Sequence, residues 1–167
     1  MLLYHGSNTI VEKPHLVEQT RGLDFGAGFY LTSSNSQAAR FAAIVAKRQR
    51  NGNPVVNSYE FDFDTAGKEL SILTFDKPDA EWLRFVTDNR LNVYKGDKYD
   101  IVIGAVANDA VMPVLQAFWG GFLNEEAAIV ALKTSKLVDQ VCLKSEKALS
   151  FLGFIKSYTV NEDQPDG

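Results

Sequence analysis

Apolar and polar positions along this chain change period several times, and each change predicts a different kind of secondary structure. Short runs that are continuously apolar, or that alternate with polar residues, are typical of β-strands. Longer stretches whose apolar residues recur every three or four positions favour helices. The segments with strand patterns are 1–7, 15–20, 29–31, 55–64, 70–75, 99–107 and 138–144.

Four stretches have helical patterns with residues that mark helix ends. The clearest, 34–52, opens on a serine or asparagine cap, continues through alanine-rich turns and ends on an Asn-Gly pair. Its Lys47, Arg48 and Arg50 complement the negative end of the helix dipole, and a nucleic-acid patch is the alternative interpretation. The other helical stretches are 78–90, 108–121, in which Pro113 limits or kinks the helix, and 124–135.

Strands and helices follow one another in mixed order, which favours an α+β fold over a doubly wound parallel sheet. A length of 167 residues, of which 46% are hydrophobic, suits one domain with a substantial core. We therefore predict a single domain over 1–160, followed by an acidic flexible tail at 161–167.

Charge and cysteine content narrow the functional classes. A net charge of −4 argues against strong non-specific binding to DNA or RNA. Cys142 is the only cysteine, so no internal disulfide and no zinc site built on cysteine pairs can form, which favours a reducing cytosol. No apolar run approaches the roughly 18 residues of a membrane span. We predict a soluble, cytoplasmic protein.

Local motifs alone do not identify a function. Gly22, Gly26 and Gly28 lie within seven residues and form a loop that lets the backbone approach a ligand or simply turn. This loop leads into a predicted strand, whereas a dinucleotide fingerprint requires a helix there. The two histidines, His5 and His15, are ten positions apart without a second cluster of ligands, so we predict no metal site.

Three segments in order carry a family resemblance: "YHGS" at 4–7, "GAGFYLTSSNSQAARFA" at 26–42 and "VDQVCLKSEKAL" at 138–149. Together they resemble the ADP-ribosyltransferase superfamily, in particular its diphtheria-toxin-like His-Tyr-Glu branch, which includes the poly-ADP-ribose polymerases. Residues 81–90 and 99–111 extend the resemblance to an uncharacterised bacterial family often encoded as toxins beside small antitoxin genes. The resemblance implies an α+β fold with a split antiparallel β-sheet core flanked by helices.

The resemblance further implies that NAD is the substrate and that its nicotinamide end lies against the split in the sheet. His5 matches the histidine that hydrogen-bonds the ribose beside nicotinamide. Gly6 matches the glycine whose backbone N–H and C=O pair with the carboxamide. Tyr30 matches the aromatic residue that stacks on the nicotinamide ring.

Five more residues are implied in NAD binding. Phe41, on the helix after Tyr30, closes the other side of the ring, and Ser36 donates to the carboxamide. Ser7 adjoins the His-Gly pair. Gly28 belongs to the loop that covers the diphosphate, where Arg21 is the phosphate partner.

The main departure from the family lies on the late strand. There the family has an acid that holds a ribose hydroxyl and stabilises the oxocarbenium-like transition state, and Gln140 matches its position. An amide can hydrogen-bond the hydroxyl but supplies no negative charge and no general base. Asp139 points to the opposite strand face and Glu146 lies six positions on, so neither replaces the acid. We expect slower chemistry, or an acceptor that needs no deprotonation.

Three functions remain open at this point: transfer of ADP-ribose to a macromolecule by a toxin with an antitoxin partner, hydrolysis of NAD, and binding without chemistry. The acidic composition slightly favours a protein acceptor over a nucleic acid. Residues 118–137 occupy the place where related enzymes choose their acceptor. In this segment Phe118, Trp119 and Phe122 offer a hydrophobic patch for a target or an antitoxin, unless at least two of them belong to the core.

Overall fold

The computed structural model describes residues 1–18, 22–106, 111–133 and 138–160. Within these ranges the strands are β1 (Leu2–Ser7), β2 (Phe29–Leu31), β3 (Val55–Phe61), β4 (Ile72–Thr74), β5 (Ile101–Ala105), β6 (Asp139–Leu143) and β7 (Leu152–Thr159). The helices are α1 (Asn35–Gln49), α2 (Phe63–Glu69), α3 (Ala80–Arg90), α4 (Met112–Trp119), α5 (Glu125–Lys133) and α6 (Glu146–Leu149). Residues 161–167, predicted as a tail, lie outside the described ranges.

The strands form two sheets. One has three strands in the order β1-β3-β7, and the other has four in the order β2-β6-β5-β4. The predicted α+β class is confirmed. The expectation of wholly antiparallel pairing is wrong for one pair, because β4 runs parallel to β5. Parallel neighbours need a crossover, and α3 lies in the connection between them.

The four-stranded sheet is buried on both faces. Alternation along β5 sends Ile101 into one hydrophobic core, shared with Leu3, and Val102 into a second, shared with Trp82. All four side chains are 0% exposed. Burial on both faces explains why 99–107 is a continuous apolar run in the sequence.

Helix α1 packs lengthwise on β1. Its cap is Ser34, whose side chain accepts a hydrogen bond from the Gln37 backbone N–H at 3.3 Å. The small residues Ala38 and Ala42 are its buried positions, so the helix can approach the strand closely. The helix predicted at 34–52 is confirmed, and it ends at Arg50, which has a φ of 51°.

Two strand predictions need correction. Residues 15–18 form neither strand nor helix, and 19–20 lie outside the described ranges. Leu16 packs against the first core while His15 and Val17 are exposed, so the alternation there reflects one anchoring side chain. The strand predicted at 55–64 ends at Phe61, because Asp62 caps α2 by accepting from two backbone N–H groups, each at 3.1 Å.

The helical hairpin of α4 and α5 covers the second core. The residues of 108–121 that precede 111 lie outside the described ranges, and α4 carries Pro113 in its first turn, where proline is tolerated. Phe118 and Trp119 pack against the second core, whereas Phe122 is 87% exposed. The interpretation that at least two of these three aromatic residues belong to the core is confirmed. No helix in the described part of the chain has the length and apolarity needed to cross a bilayer.

Candidate functional site

The two sheets meet at one backbone bridge and then separate. Tyr4 of β1 and Thr32, next to β2, exchange both backbone hydrogen bonds, at 2.8 and 3.0 Å. In that antiparallel register Gly6 lies opposite Tyr30, but no backbone hydrogen bond joins this pair among the described residues. Because backbone groups alternate along a strand, the N–H and C=O of the buried Gly6 point toward β2, into the space between the two strands. We call this space the β1–β2 gap.

His5 reaches the gap from the edge of β1. Its Nδ1 lies 2.8 Å from the carbonyl oxygen of Tyr30. A carbonyl only accepts, so Nδ1 carries the proton, and Nε2 of the neutral ring is an acceptor. The half-buried ring stacks on Phe29 with centroids 4.3 Å apart. Burial lowers the pKa of His5 below its ordinary value, which favours this neutral form.

Gly6 is required by the packing of α1. A Cβ atom there would lie 2.1 Å from the Ala38 carbonyl oxygen and 2.7 Å from the Ala42 backbone nitrogen. Both are backbone atoms of a helix and cannot turn aside as a flexible side chain can. Gly6 therefore lets α1 pack closely on one side. On the side of β2, its backbone N–H and C=O form an unpaired peptide edge, with no backbone partner among the described residues.

Tyr30 holds the glycine loop. Its hydroxyl donates to the Gly26 carbonyl at 2.5 Å and accepts from the Phe25 backbone N–H at 3.1 Å. Burial, the largest cause, raises the pKa of Tyr30 far above its ordinary value, so the phenol stays protonated. Because the hydroxyl is engaged by the loop, the part of Tyr30 that can contact a ligand is its ring.

Lys144 and Arg90 also contact the glycine loop. The Lys144 Nζ donates to the carbonyls of Phe25 and Ala27, and burial lowers the pKa of this ammonium. The Arg90 guanidinium forms an ion pair with the buried Asp24 at 2.5 Å. These contacts fix the conformation of the glycine loop beside the β1–β2 gap.

Gln140 lies on the face of the second sheet that carries Tyr30. It pairs with Gly104 of β5, and continuing the β2–β6 register places it opposite Thr32. Alternation puts its side chain on the same face as those of Cys142 and Tyr30. The Nε2 atom of Gln140 is buried and has no hydrogen-bond partner among the described residues. An unsatisfied buried donor costs about 1–3 kcal/mol, which a ligand with an acceptor atom would offset.

The two acids near Gln140 do not take its place, as alternation predicts. The Asp139 carboxylate accepts from the Ser33 hydroxyl at 2.5 Å and from the Ser33 backbone N–H at 3.3 Å. Glu146 is exposed in the first turn of α6. Neither points to the face that carries Gln140.

Comparison with known proteins assigns the chain to a family. Its residues 1–154 match the family described as "Protein of unknown function (DUF3990)". The chain belongs to the DUF3990 family. No curated protein and no solved structure matches it. The family description names no activity, so the function of this DUF3990 protein has to be inferred from the geometry above.

The other residues predicted to bind NAD lie at different places relative to the β1–β2 gap. Phe41 is 49% exposed and lies one turn after Gln37, whose side chain accepts from Thr32 at 3.2 Å, so it is on the flank of α1 that faces β2. Ser7 is buried, and its hydroxyl accepts from the Thr9 backbone N–H at 3.4 Å. Ser36 is exposed.

The structure does not bring Ser36 into the gap. With about 100° per residue, Ser36 lies on a different face of α1 from Phe41. Its hydroxyl is 3.2 Å from that of Ser34 at the start of the helix. Gly28 lies against β6, where a Cβ would be 2.4 Å from the Cys142 sulfur. Arg21, the predicted phosphate partner, lies outside the described residues.

Lys144 and Arg90 are the site residues that sequence analysis missed. Lys144 directly follows β6, two positions after Cys142, and Arg90 ends α3. A cation directly after a buried strand is the sequence signal that could have identified Lys144. Nothing in the local pattern around Arg90 indicated its ion pair with Asp24, because the two are separated by 66 positions.

Other features of the surface lie away from this site. Two open depressions of about 470 Å³ each adjoin β3 and β7, and neither includes the gap. Within the described ranges, no three side chains of His, Cys, Asp or Glu form a group that would hold a metal ion.

The His5 pKa makes stability depend on pH. Because the folded state disfavours the charged ring, the unfolded chain binds more protons as pH falls below 6.5, the ordinary histidine value. We expect the free energy of unfolding to decrease between about pH 7.5 and about pH 5.5, measured by urea denaturation. His5→Gln should weaken this slope, and His15→Gln, at an exposed position, should leave it unchanged. Identical slopes in all three proteins would contradict the buried neutral ring.

Proposed function

We propose that this protein cleaves NAD between nicotinamide and ribose and transfers ADP-ribose to a macromolecule. The observation that carries the proposal is the unpaired peptide edge of Gly6 in the β1–β2 gap. A peptide edge offers one donor and one acceptor side by side, as a planar carboxamide does, so the two can pair as neighbouring strands do. The bridge between two separate sheets also agrees with the split core that the family resemblance implies.

The side chains around the gap suit the rest of that substrate. The Tyr30 ring, and Phe41 from α1, supply aromatic surface for the nicotinamide ring. The His5 ring lies on the opposite face, with Phe29, and in this proposal it positions Tyr30 through its hydrogen bond to the Tyr30 carbonyl. Gln140 offers an unsatisfied N–H donor for a ribose oxygen.

In this proposal, the residues around the gap act on the bond between nicotinamide and ribose. As the bond from nicotinamide to the ribose carbon breaks, its electron pair goes to the ring nitrogen and nicotinamide leaves neutral. Positive charge develops on the ribose, and the amide of Gln140 can orient the sugar but cannot neutralise that charge. The expected rate is therefore low.

NAD hydrolysis is the second candidate, and Gln140 itself favours it. Without a general base at this position, an activated macromolecular nucleophile is not generated by the enzyme. Water present in excess would then compete for the ribose carbon. A binding module for NAD or ADP-ribose is the remaining alternative.

Biological context is also part of the proposal. The resemblance to toxins encoded beside antitoxin genes suggests a cytoplasmic toxin neutralised by a partner protein. The 87% exposure of Phe122, next to the helical hairpin, supports a surface for such a partner or a target.

Nicotinamide release from NAD by the purified protein tests the proposed activity. Phe41→Ala should raise KM for NAD about tenfold, because an aromatic stacking contact is worth about 1 kcal/mol beyond the area it buries. Ile155→Ala is the control, since Ile155 is 50% exposed on β7, away from the β1–β2 gap, and it should leave KM unchanged.

Labelled NAD in a cell lysate separates the alternatives. Label in a macromolecule supports transfer, and nicotinamide release without label supports hydrolysis. A higher melting temperature in millimolar NAD without release would indicate a binding module. If NAD neither is cleaved nor raises the melting temperature, the assignment of the β1–β2 gap is wrong.

A further inference from the structure

The face that carries Tyr30 and Gln140 holds no group able to take a proton from an acceptor, within the described ranges. Gln140 is an amide, the Tyr30 phenol donates to the loop, and Lys144 is engaged as a donor to the Phe25 and Ala27 carbonyls. Burial raises the pKa of the Cys142 thiol to about 12, so it is not a thiolate at neutral pH. His5 presents its side chain to the opposite face, with Phe29.

The nearest carboxylates are engaged elsewhere. Asp139 accepts two hydrogen bonds from Ser33, and Asp24 is paired with Arg90. An acceptor that reaches the ribose beside Gln140 meets no free general base among the described residues, so an acceptor that is already ionised is favoured. Terminal phosphate monoesters meet this condition, because their second pKa is about 6.

A positively charged surface lies on the outer face of α1, the helix that packs on β1. Helix α1 contains no acidic residue, and Arg40, Lys47 and Arg48 are all exposed on it. With about 100° per residue these three side chains lie within about 100° of one another on the outer face. Arg40 and Lys47 are about 10 Å apart along the helix axis, which suits the repeated charges of a phosphate chain better than a single carboxylate.

The helix that carries this surface runs alongside β1. Gly6 contacts α1 between Ala38 and Ala42, and Asn8, beyond the end of β1, donates to Gln49 at 3.0 Å. The strand therefore runs alongside the helix toward its C-terminal end. Arg48 lies on the flank of α1 that faces β2, the flank of Gln37 and Phe41.

We infer that the acceptor is the terminal phosphate of a single-stranded nucleic acid, which binds along the exposed cationic face of α1. The inference rests on the proposed NAD cleavage and names its acceptor. In the reaction, an ionised phosphate oxygen forms a bond to the ribose carbon while the bond to nicotinamide breaks. The electron pair of that bond leaves with nicotinamide. The phosphate monoester becomes a diester, and no proton is transferred.

Short oligonucleotides test the acceptor directly. Single-stranded RNA 12-mers carrying a 5′-phosphate, a 3′-phosphate or no phosphate are incubated with the full-length protein and labelled NAD, with poly-glutamate as a carboxylate acceptor. We expect label on a phosphorylated 12-mer and none on the unphosphorylated one. Label on the unphosphorylated 12-mer or on poly-glutamate would overturn the inference.

Charge reversal tests the binding surface. Arg40→Glu together with Lys47→Glu, two exposed residues on the outer face of α1, should raise KM for the oligonucleotide at least tenfold and leave KM for NAD and basal nicotinamide release unchanged. Lys68→Glu, an exposed charge reversal on α2, should change neither KM. A raised KM for NAD instead would overturn the inference, because the cationic face would then belong to the NAD site.

The outcomes distinguish this inference from the function on which it rests. Nicotinamide release that leaves every phosphorylated 12-mer unlabelled would overturn the acceptor and leave NAD cleavage standing. Absence of nicotinamide release under all conditions would overturn both.

Discussion

Gly6→Ala is expected to lower the free energy of unfolding by about 3 kcal/mol or more and to abolish NAD binding. The added methyl would lie 2.1 Å from the Ala38 carbonyl oxygen, inside any permitted contact distance. Relief requires α1 to move away from β1. That movement would open the buried Ala38 and Ala42 contacts and shift the flank that bears Phe41.

Urea denaturation measures this effect, and Gly67→Ala is its matched control. Gly67 lies in α2, and a Cβ there would meet nothing within 4 Å. Alanine is a better helix former than glycine, so Gly67→Ala should stabilise the protein by up to about 1 kcal/mol. Equal denaturation midpoints for Gly6→Ala and wild type would show that α1 does not pack as described.

Gln140→Glu is expected to raise the rate of nicotinamide release about a hundredfold, the scale of one well-placed electrostatic group in a transition state. Glutamate has the shape of glutamine, and Gln140 Nε2 has no partner in the described structure, so the change breaks no hydrogen bond there. The carboxylate would face the ribose as positive charge develops. Because the gain comes from charge, it should appear as pH rises and the carboxyl ionises.

The free energy of unfolding of the Gln140→Glu protein should decrease as pH rises, while its rate of nicotinamide release increases. Burial raises the pKa of a carboxyl, so the folded Gln140→Glu protein binds more protons than its unfolded chain and loses stability as pH rises through that interval. Gln140→Met, of similar shape without a donor or charge, should be slower than wild type. A Gln140→Glu protein that folds, binds NAD and remains as slow as wild type would show that residue 140 does not face the reacting ribose.

Local sequence patterns predicted those elements whose stabilising contacts are close in the chain. The cap, alanine-rich turns and terminal Asn-Gly of 34–52 predicted α1 within a few residues of its ends. The apolar run at 99–107 predicted a strand buried on both faces, which β5 is. The predicted strand was wrong over 15–18, which pair with no other strand, and the far end of 55–64 was wrong because Asp62 caps α2 there.

The candidate site was defined partly by the sequence and partly by the tertiary structure. The family resemblance selected His5, Gly6, Tyr30 and Gln140 from the sequence. It did not indicate that the Tyr30 hydroxyl is engaged by the glycine loop, or that Lys144 holds that loop. Ser36 was selected with the others, but helix geometry turns it to a face of α1 away from the gap.

The sequence by itself determined the α+β class, helices α1, α3, α4 and α5, most strands other than β7, and the absence of an acid at residue 140, because these depend on composition and on neighbours a few positions apart. Only the tertiary structure decided which peptide edge is open at Gly6, which nitrogen of His5 carries the proton and which donor of Gln140 lacks a partner. Each of these depends on atoms that folding brings together from distant parts of the chain. His5 and Tyr30 are 25 positions apart, and the Tyr30 carbonyl determines which ring nitrogen of His5 carries the proton.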